Sequence, residues 1–282
     1  MLQALKKKKR AQGERCWMRY ADLEHIKLHY REDGDPNGPA LVFSNSLGTD
    51  LRLWDPILPY LPKDFRIIRY DKRGHGLSEC PSGPYSMGAL IRDAEALLDH
   101  LNVSNCVFIG LSIGGMIAQG LAAKRLDLVH ALVLSNTGAK IGTSQLWQGR
   151  IKAVEQGGIE ALESAIMERW FSAEFRATPQ LDLWRNMLIR QPREGYIGCS
   201  AAIAGSDFLA PTSGLRLPCL GIAGSEDGST PPDLVRETIN LIPGAQFQLI
   251  KKAGHLPCVE QPEVYAKILL KFLQDVGYAT DN

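Results

Sequence analysis

The chain has 282 residues, a net charge of +1 and 45% hydrophobic residues, a composition typical of a globular protein with a large core. The near-neutral charge gives no basis for nucleic acid as a partner, and the apolar stretches are too short to span a membrane. The six cysteines show no C-x-x-C spacing and no accompanying histidine cluster, which argues against a bound metal. Cys106 and Cys219 lie within apolar runs, which favours reduced thiols in a cytoplasmic protein.

The N-terminus begins with a basic run at residues 6–10. A secretory signal would continue with an apolar region, whereas Ala11-Gln12-Gly13-Glu14 follows here. Basic runs of this kind also occur in nuclear-targeting and nucleic-acid-binding segments. The favoured interpretation is a disordered basic extension over residues 1–19.

From residue 20 onward, short apolar runs alternate with helical patterns. Residues 17–30 predict an antiparallel hairpin, because Ile26, Leu28 and Tyr30 alternate with polar residues. Compact apolar runs follow, and such runs are typical of central strands that are buried on both faces of a parallel sheet. These runs are 40–43, 66–70, 106–109, 131–134, 219–222 and 247–250.

Helical patterns lie between the predicted strands. Apolar residues repeat at helical spacing over 87–101, a second helix is predicted over 114–126, and a third follows Pro262, which suits a first helical position. Strands that alternate with helices predict a mostly parallel α/β sheet with helices on both faces.

The alternation stops over residues 138–205, which are helical in character and contain no strand run. A helical block between two strands of a sheet is most simply a lid over the carboxyl edge of that sheet, where open α/β sheets bind ligands. We therefore predict a core of residues 20–137 and 206–282, with a helical lid over 138–205.

Gly110-Leu111-Ser112-Ile113-Gly114 has the pattern G-x-S-x-G between a predicted strand and a predicted helix. This context indicates a nucleophile elbow, a tight turn that presents the serine hydroxyl and needs very small flanking residues. The alternative is a glycine-rich turn with an incidental serine.

A serine nucleophile needs a base and an acid that orients the base. His255 follows the last predicted strand and so lies at the same sheet edge as Ser112, with His75 as the second candidate. Asp227 follows the strand 219–222 and is the predicted acid, with its neighbour Glu226 as the rival. The chain order serine, aspartate, histidine is that of the α/β hydrolases.

An oxyanion hole needs two backbone N–H groups. Ile113, directly after the nucleophile, is predicted to supply one of them. The second is expected from the loop 44–49, with Leu47 as the preferred donor and Ser46 as the alternative.

Several stretches match a known family: 44–50, 69–78, 110–115, 136–143 and 224–227. The most specific are Asn45-Ser46, where most α/β hydrolases carry His-Gly, and the segment from Ile141 through Trp147 to Arg150. On these residues the chain from about Tyr20 to Phe272 resembles the 3-oxoadipate enol-lactonases, a branch of the α/β-hydrolase superfamily.

The resemblance implies hydrolysis of 3-oxoadipate enol-lactone to 3-oxoadipate, a step of aromatic catabolism in the β-ketoadipate pathway, without a cofactor. This substrate is a small lactone that bears a carboxylate, so a cation should line its pocket. Arg150 is favoured because it lies one helical turn beyond Trp147, a candidate pocket wall that could equally pack between lid and core. The other candidate cations of the lid are Lys140, Arg169, Arg190 and Arg193.

Other functions remain open on the same fold. A carboxylesterase, a carbon–carbon bond hydrolase or a haloperoxidase-like enzyme would keep the same triad. A ligand receptor with little turnover would keep the fold, although an intact triad argues against it. No pattern in the sequence predicts an oligomeric state.

Overall fold

The computed structural model describes residues 19–278. The basic run 6–10 and the predicted extension up to residue 18 lie outside the described residues, and Arg19 already belongs to a strand. The predicted hairpin is formed by β1 (Arg19–Leu23) and β2 (Ile26–Gly34), in antiparallel register. β2 continues beyond the predicted end at Tyr30, because its last residues pair with the strand Arg66–Tyr70.

Six further strands complete the sheet: β3 (Ala40–Ser44), β4 (Arg66–Tyr70), β5 (Cys106–Leu111), β6 (Val129–Ser135), β7 (Cys219–Gly224) and β8 (Gln246–Ile250). The sheet order is β1-β2-β4-β3-β5-β6-β7-β8, and every pair from β4 to β8 is parallel. The predicted mostly parallel α/β sheet is confirmed. The expectation of a strand buried on both faces is wrong for β8, which lies at the sheet edge with only Ile250 buried.

Helices pack around this sheet: α1 (Met87–His100), α2 (Ile113–Lys124), and, in the block after β6, α3 (Ser144–Gly157), α4 (Glu163–Trp170), α5 (Ala173–Arg176), α6 (Leu181–Ile189) and α7 (Arg193–Ala204). The later helices are α8 (Leu209–Ser213), α9 (Pro232–Asn240), α10 (Pro257–Glu260) and α11 (Pro262–Asp275). Two 3-10 helices, Leu51–Tyr60 and Ile159–Leu162, complete the described elements. None of the helices within residues 19–278 is long and apolar enough to cross a membrane.

The block between β6 and β7 is helical, and α7 packs closely on the core. A Cβ atom on Gly195 would overlap the carbonyl oxygen of Gly74, in the loop after β4. A Cβ atom on Gly198 would likewise meet the ring of Tyr85. Glycine therefore allows the backbone of α7 to approach that of the core directly.

The parallel register carries the ends of β3 to β8 to one edge of the sheet. Ser44 at the end of β3 lies beside Gly110 of β5, and Ser135 at the end of β6 lies beside Ile222 of β7. The loops that follow these strands therefore meet at the carboxyl edge, where ligands of open α/β sheets bind.

Candidate active site

Ser112 lies in the turn between β5 and α2 with φ 59° and ψ −119°, a left-handed conformation that is rare for residues other than glycine. The turn is tight on both sides. A Cβ atom on Gly110 would overlap the carbonyl oxygen of Gly114, and one on Gly114 would overlap that of Ser44. This is the geometry that a nucleophile elbow requires, with a strained serine between glycines.

His255 lies in the loop after β8, and its Nδ1 lies 2.8 Å from Oδ2 of Asp227, in the loop after β7. The same oxygen accepts hydrogen bonds from Asn136 Nδ2 at 2.9 Å and from Thr230 Oγ1 at 2.8 Å. The other oxygen, Oδ1, accepts the backbone N–H groups of Ser229 at 2.7 Å and Thr230 at 3.0 Å. A carboxylate with these partners fixes the proton of the imidazole on Nδ1 and leaves Nε2 as the basic nitrogen.

Burial alone would raise the pKa of Asp227, but the charge and hydrogen bond of His255, together with the hydrogen bonds from Asn136 and Thr230, lower this pKa below its usual value. Asp227 therefore stays ionised throughout the neutral pH range. An ionised partner suits a histidine that must accept a proton during a reaction.

Ser112 and His255 line the same cavity. In this structure the hydrogen-bond partner of His255 Nε2 is Ser46, whose Oγ lies 3.3 Å away. Hydrogen bonds of catalytic groups are often longer or differently partnered before a substrate binds. Ser112 and His255 thus share one cavity at the carboxyl edge of the sheet, and the buried Asp227 lies behind His255.

The two rival residues lie elsewhere. The side chain of Glu226 is exposed to solvent, whereas Asp227 is the carboxylate that contacts His255. His75 is fully buried, and its Nε2 accepts the backbone N–H of Gly48 at 3.0 Å. The nitrogen that a base would use is therefore occupied by the loop after β3.

The loop after β3 lies beside the nucleophile. Leu47 lines the cavity together with Ser112, and Ile113 is the first residue of α2. The N–H groups of Gly48 and Thr49 already have acceptors, His75 Nε2 and the Ser46 carbonyl oxygen. Within residues 19–278 no such acceptor is recorded for the N–H of Leu47.

The cavity at Ser112 has a volume of about 280 Å³, which suits a small ligand. It is lined by residues from the loops after β3, β5, β6, β7 and β8 and from α3 and α4: Ser46, Leu47, Ser112, Ile141, Gly142, Leu146, Trp147, Arg150, Arg169, Trp170, Gly228, Ser229, Thr230 and His255. A larger groove of about 590 Å³ lies between β8 and α11, and neither Ser112, Asp227 nor His255 lines it. The chemistry of the small cavity, rather than the size of the groove, identifies the candidate site.

Two arginines line this cavity and no carboxylate does. Arg150 Nε donates to Tyr196 Oη at 2.8 Å, and its guanidinium lies 5.3 Å from the ring centroid of Trp147. Trp147 is buried, and its Nε1 donates to the carbonyl oxygen of Ile141. Among the described residues, no carboxylate oxygen lies within 4 Å of Arg150 or Arg169. The cavity therefore carries uncompensated positive charge.

The other predicted cations do not reach the cavity. Lys140 is about half exposed and pairs with Asp207 at 2.9 Å, so its expected role in substrate binding is not supported by its position. Arg190 and Arg193 are also exposed, and Arg193 donates to the carbonyl oxygen of Glu155. These three side chains lie on the outer surface of the helical block, where solvent compensates their charge.

The block between β6 and β7 also holds the loops that carry His255 and Asp227. The carbonyl oxygen of Trp170 accepts the backbone N–H of His255 at 2.8 Å, and that of Arg169 accepts the N–H of Gly228 at 3.1 Å. Glu260 links the same regions, because it accepts from Gly254 N at 2.6 Å and from Ser172 N at 3.1 Å. The end of α4 is thus part of the scaffold of the site.

Sequence reasoning assigned no role in the site to Asn136, Thr230 or Lys72. Asn136 directly follows β6 and donates to the Asp227 carboxylate in the loop after the neighbouring strand β7. The available signal was its position, since polar residues at the ends of adjacent parallel strands meet at one edge. Lys72 offered no comparable signal, because a lysine in a loop is usually exposed.

A serine in a strand–helix elbow, followed along the chain by an aspartate and a histidine that are hydrogen-bonded to each other, defines the class of α/β hydrolases. Residues 15–268 match the model of the alpha/beta hydrolase family, and the chain belongs to this family. The expectation of a hydrolase is confirmed at this level.

Individual relatives are more specific. The chain is 34% identical to 3-oxoadipate enol-lactonase 2 of Acinetobacter baylyi, over 86% of this chain and 91% of that protein. It is 33% identical to 3-oxoadipate enol-lactonase 1 of the same organism, over 88% and 94% of the two chains. The crystal structure of the enol-lactonase from Burkholderia xenovorans LB400 superposes with a TM-score of 0.87 at 37% identity, covering 91% of this chain and 100% of that one. The resemblance to 3-oxoadipate enol-lactonases is confirmed.

Proposed function

We propose that the protein hydrolyses 3-oxoadipate enol-lactone to 3-oxoadipate, with Ser112 as nucleophile, His255 as general base and Asp227 as the group that orients His255. The observation that carries this proposal is the pairing of that constellation with Arg150 and Arg169, which have no carboxylate partner in a small cavity. A carboxylate-bearing lactone would supply the missing negative charge. The enol-lactonase relatives support the same substrate.

Acylation would begin when Ser112 Oγ attacks the ring carbonyl carbon and transfers its proton to His255 Nε2. The N–H groups of Leu47 and Ile113 would stabilise the oxyanion, and each such donor typically contributes about 3 kcal/mol to the transition state. Collapse of the tetrahedral intermediate would break the ring C–O bond, and His255 would return the proton to the departing enol oxygen. An enol oxygen leaves more readily than an alkoxide, and the enol then tautomerises to the ketone.

Deacylation would repeat these roles with water as the nucleophile. His255 would take a proton from water as it attacks the acyl carbon, and would return that proton to Ser112 Oγ when the ester bond breaks. Asp227 would stabilise the imidazolium in both steps. All of these protons are exchanged among substrate, water and protein side chains, so no cofactor is needed.

The helical block 138–205 would act as the lid of the site, over the core of residues 20–137 and 206–282. Its support is the contribution of α3 and α4 to the cavity wall, through Trp147, Arg150 and Arg169. Because the arginines belong to this block, the lid rather than the core would select the carboxylate.

The test is to generate the enol-lactone in solution and to follow its loss with wild type and with Ser112→Ala. We expect rapid loss with wild type and only background loss with the variant. Equal rates for the two proteins would contradict the role of Ser112. If wild type does not hydrolyse the lactone but does hydrolyse a neutral aryl ester, the result would contradict the proposed substrate and leave the proposed serine mechanism in place.

A further inference from the structure

Lys72 is a buried lysine beneath the loop that carries Leu47. Its side chain is 1% exposed, and Nζ donates to the carbonyl oxygens of Ser46 at 2.6 Å and Thr49 at 3.2 Å. Within the described part of the chain, no carboxylate oxygen lies within 4 Å of this ammonium. Burial of a charged amine costs free energy unless the charge serves a purpose or is well compensated. Two backbone carbonyls are a sparse environment for such a charge.

The carbonyl of Ser46 and the N–H of Leu47 belong to the same peptide group. In a trans peptide the C=O and N–H bonds point in opposite directions, so a donor on the carbonyl side turns the N–H away from itself. A cation at the carbonyl oxygen also polarises the peptide, which makes its N–H a stronger hydrogen-bond donor. A cation on the Ser46 carbonyl oxygen can thus affect the Leu47 N–H through the shared peptide group, without contact with a substrate.

The neighbouring contacts occupy the N–H groups of Gly48 and Thr49, and among the described residues none engages the N–H of Leu47. His75 Nε2 accepts the N–H of Gly48 at 3.0 Å, and the Ser46 carbonyl accepts that of Thr49 at 3.3 Å. The Ser46 carbonyl oxygen is the same atom that accepts from Lys72 Nζ, and Leu47 lines the cavity at Ser112. Lys72 and His75, in the loop after β4, thus hold the backbone of the loop after β3 at Ser46, Gly48 and Thr49, on both sides of Leu47.

We propose that Lys72 is a positioning residue of the oxyanion hole, which orients the Ser46–Leu47 peptide and strengthens the Leu47 N–H as an oxyanion donor. The inference rests on the proposed serine-hydrolase mechanism and deepens it. A purely structural role makes a different prediction, because replacing a buried charge by an apolar side chain of similar shape is often neutral or stabilising for the fold.

The charge of Lys72 should depend on pH. Burial lowers the pKa of Lys72 to about 8, and the nearby Cys199, Asp71 and Asp50 oppose this shift. His75, the other titratable neighbour, has a pKa well below its usual value because of its burial and the charge of Lys72, and so it remains neutral here. Activity should accordingly fall as the pH rises through about 8, when the ammonium loses its proton.

The experiment compares wild type, Lys72→Met and a control, Lys124→Met, whose lysine is exposed and pairs with Glu95 on the surface. Hydrolysis of 4-nitrophenyl acetate gives kcat and KM. Inhibition by a small trifluoromethyl ketone, which forms a hemiketal oxyanion with a serine nucleophile, reports on the oxyanion hole itself. We expect Lys72→Met to lower kcat by roughly 10-fold to 100-fold with KM changed by less than about threefold, and to weaken the inhibitor by a similar factor.

Lys72→Met should also abolish the alkaline decline of kcat that wild type and Lys124→Met show. A folded Lys72→Met with kcat and inhibitor affinity within about twofold of wild type would overturn the proposal. If Lys72→Met does not fold, the pH dependence of wild-type kcat is the test. A wild-type kcat that does not decline between pH 7 and pH 9.5 would also overturn the proposal. Equal ester hydrolysis by wild type and Ser112→Ala would instead refute the proposed function.

Discussion

Hydrogen-bond donors surround both oxygens of the Asp227 carboxylate, including the backbone N–H groups of Ser229 and Thr230. The amide of Asn136 and the hydroxyl of Thr230 add to the contact with His255. These donors hold the carboxylate ionised and in one orientation, so that the imidazole has a single favoured tautomer. A neutral amide at this position would keep most of the shape and lose the charge.

Asp227→Asn is therefore expected to lower kcat by roughly 10³-fold to 10⁴-fold while the protein stays folded, because an amide favours the wrong tautomer and cannot stabilise the imidazolium. Steady-state kinetics on a neutral aryl ester and on the enol-lactone measure the effect. Asp207→Asn is the matched control, since Asp207 is exposed, forms a surface ion pair with Lys140 and accepts the backbone N–H of Leu209, away from the cavity. A loss of less than tenfold for Asp227→Asn would contradict the assigned role.

Arg150→Gln tests the carboxylate site. We expect KM for the enol-lactone to rise by roughly 10-fold or more, since a hydrogen bond to a charged group contributes about 1.5–3 kcal/mol. Hydrolysis of a neutral aryl ester should change by less than about threefold. Arg190→Gln, at an exposed position outside the cavity, should leave both substrates unaffected. An equal loss on both substrates would indicate that Arg150 supports the cavity wall instead.

At the scale of elements, the contact between α7 and the loop after β4 depends on paired glycines. A Cβ atom on Gly195 would overlap the backbone of Gly74, whereas a Cβ atom on Gly149, within α3, would meet nothing within 4 Å. The two glycines therefore have different roles, although both lie in the same helical block. Gly195 is required by the close approach of two backbones, whereas Gly149 has no such contact and only weakens α3.

Substitution by alanine should separate these cases. Gly195→Ala is expected to lower the free energy of unfolding by about 1–3 kcal/mol, because α7 must move away from the core. Gly149→Ala should raise it by about 0.5–1 kcal/mol, because alanine favours the helix and loses less entropy on folding. Urea unfolding followed by circular dichroism gives both values. A stabilising Gly195→Ala would contradict the tight contact between α7 and the core.

Element positions follow from the sequence wherever one local pattern decides them. The strand runs and the elbow at Ser112 were predicted because apolar runs and G-x-S-x-G are local signals, and the structure extends most of these strands by only one or two residues. The 3-10 helix Leu51–Tyr60 was not predicted, since it contains the two prolines Pro56 and Pro59, which disfavour a regular helix. Contacts such as Asn136 with Asp227, 91 residues apart, depend on the order of strands in the sheet, and Lys72 depends on a loop packing that no local pattern encodes.

For the whole molecule, buried titratable groups set how stability depends on pH. Burial and the charge of Lys72 lower the pKa of His75 well below its ordinary value of 6.5, so the folded state resists protonation of this residue. The unfolded state takes up that proton below about pH 6.5. The stability contributed by neutral His75 is therefore complete above this pH and is lost as the pH falls below it.

As the pH is lowered, the free energy of unfolding should consequently fall more steeply in wild type than in His75→Gln, because the glutamine side chain cannot be protonated. For a single group the difference between the two proteins should change by about 1.4 kcal/mol per pH unit below pH 6.5. Urea unfolding of both proteins at pH 7.5, 6.5 and 5.5 measures it. A difference that stays constant over this range would show that His75 is protonated equally well in the folded state.

The carbonyl oxygens of Arg169 and Trp170 accept hydrogen bonds from the loops that carry Asp227 and His255. The helical block is therefore not a freely exchangeable module for protein engineering. A chimaera that grafts the whole block from a relative would also replace the backbone anchors of both loops, and would be expected to lose turnover together with the old specificity. A graft limited to α3 and the 3-10 helix Ile159–Leu162 would exchange Trp147 and Arg150 and leave those anchors in place.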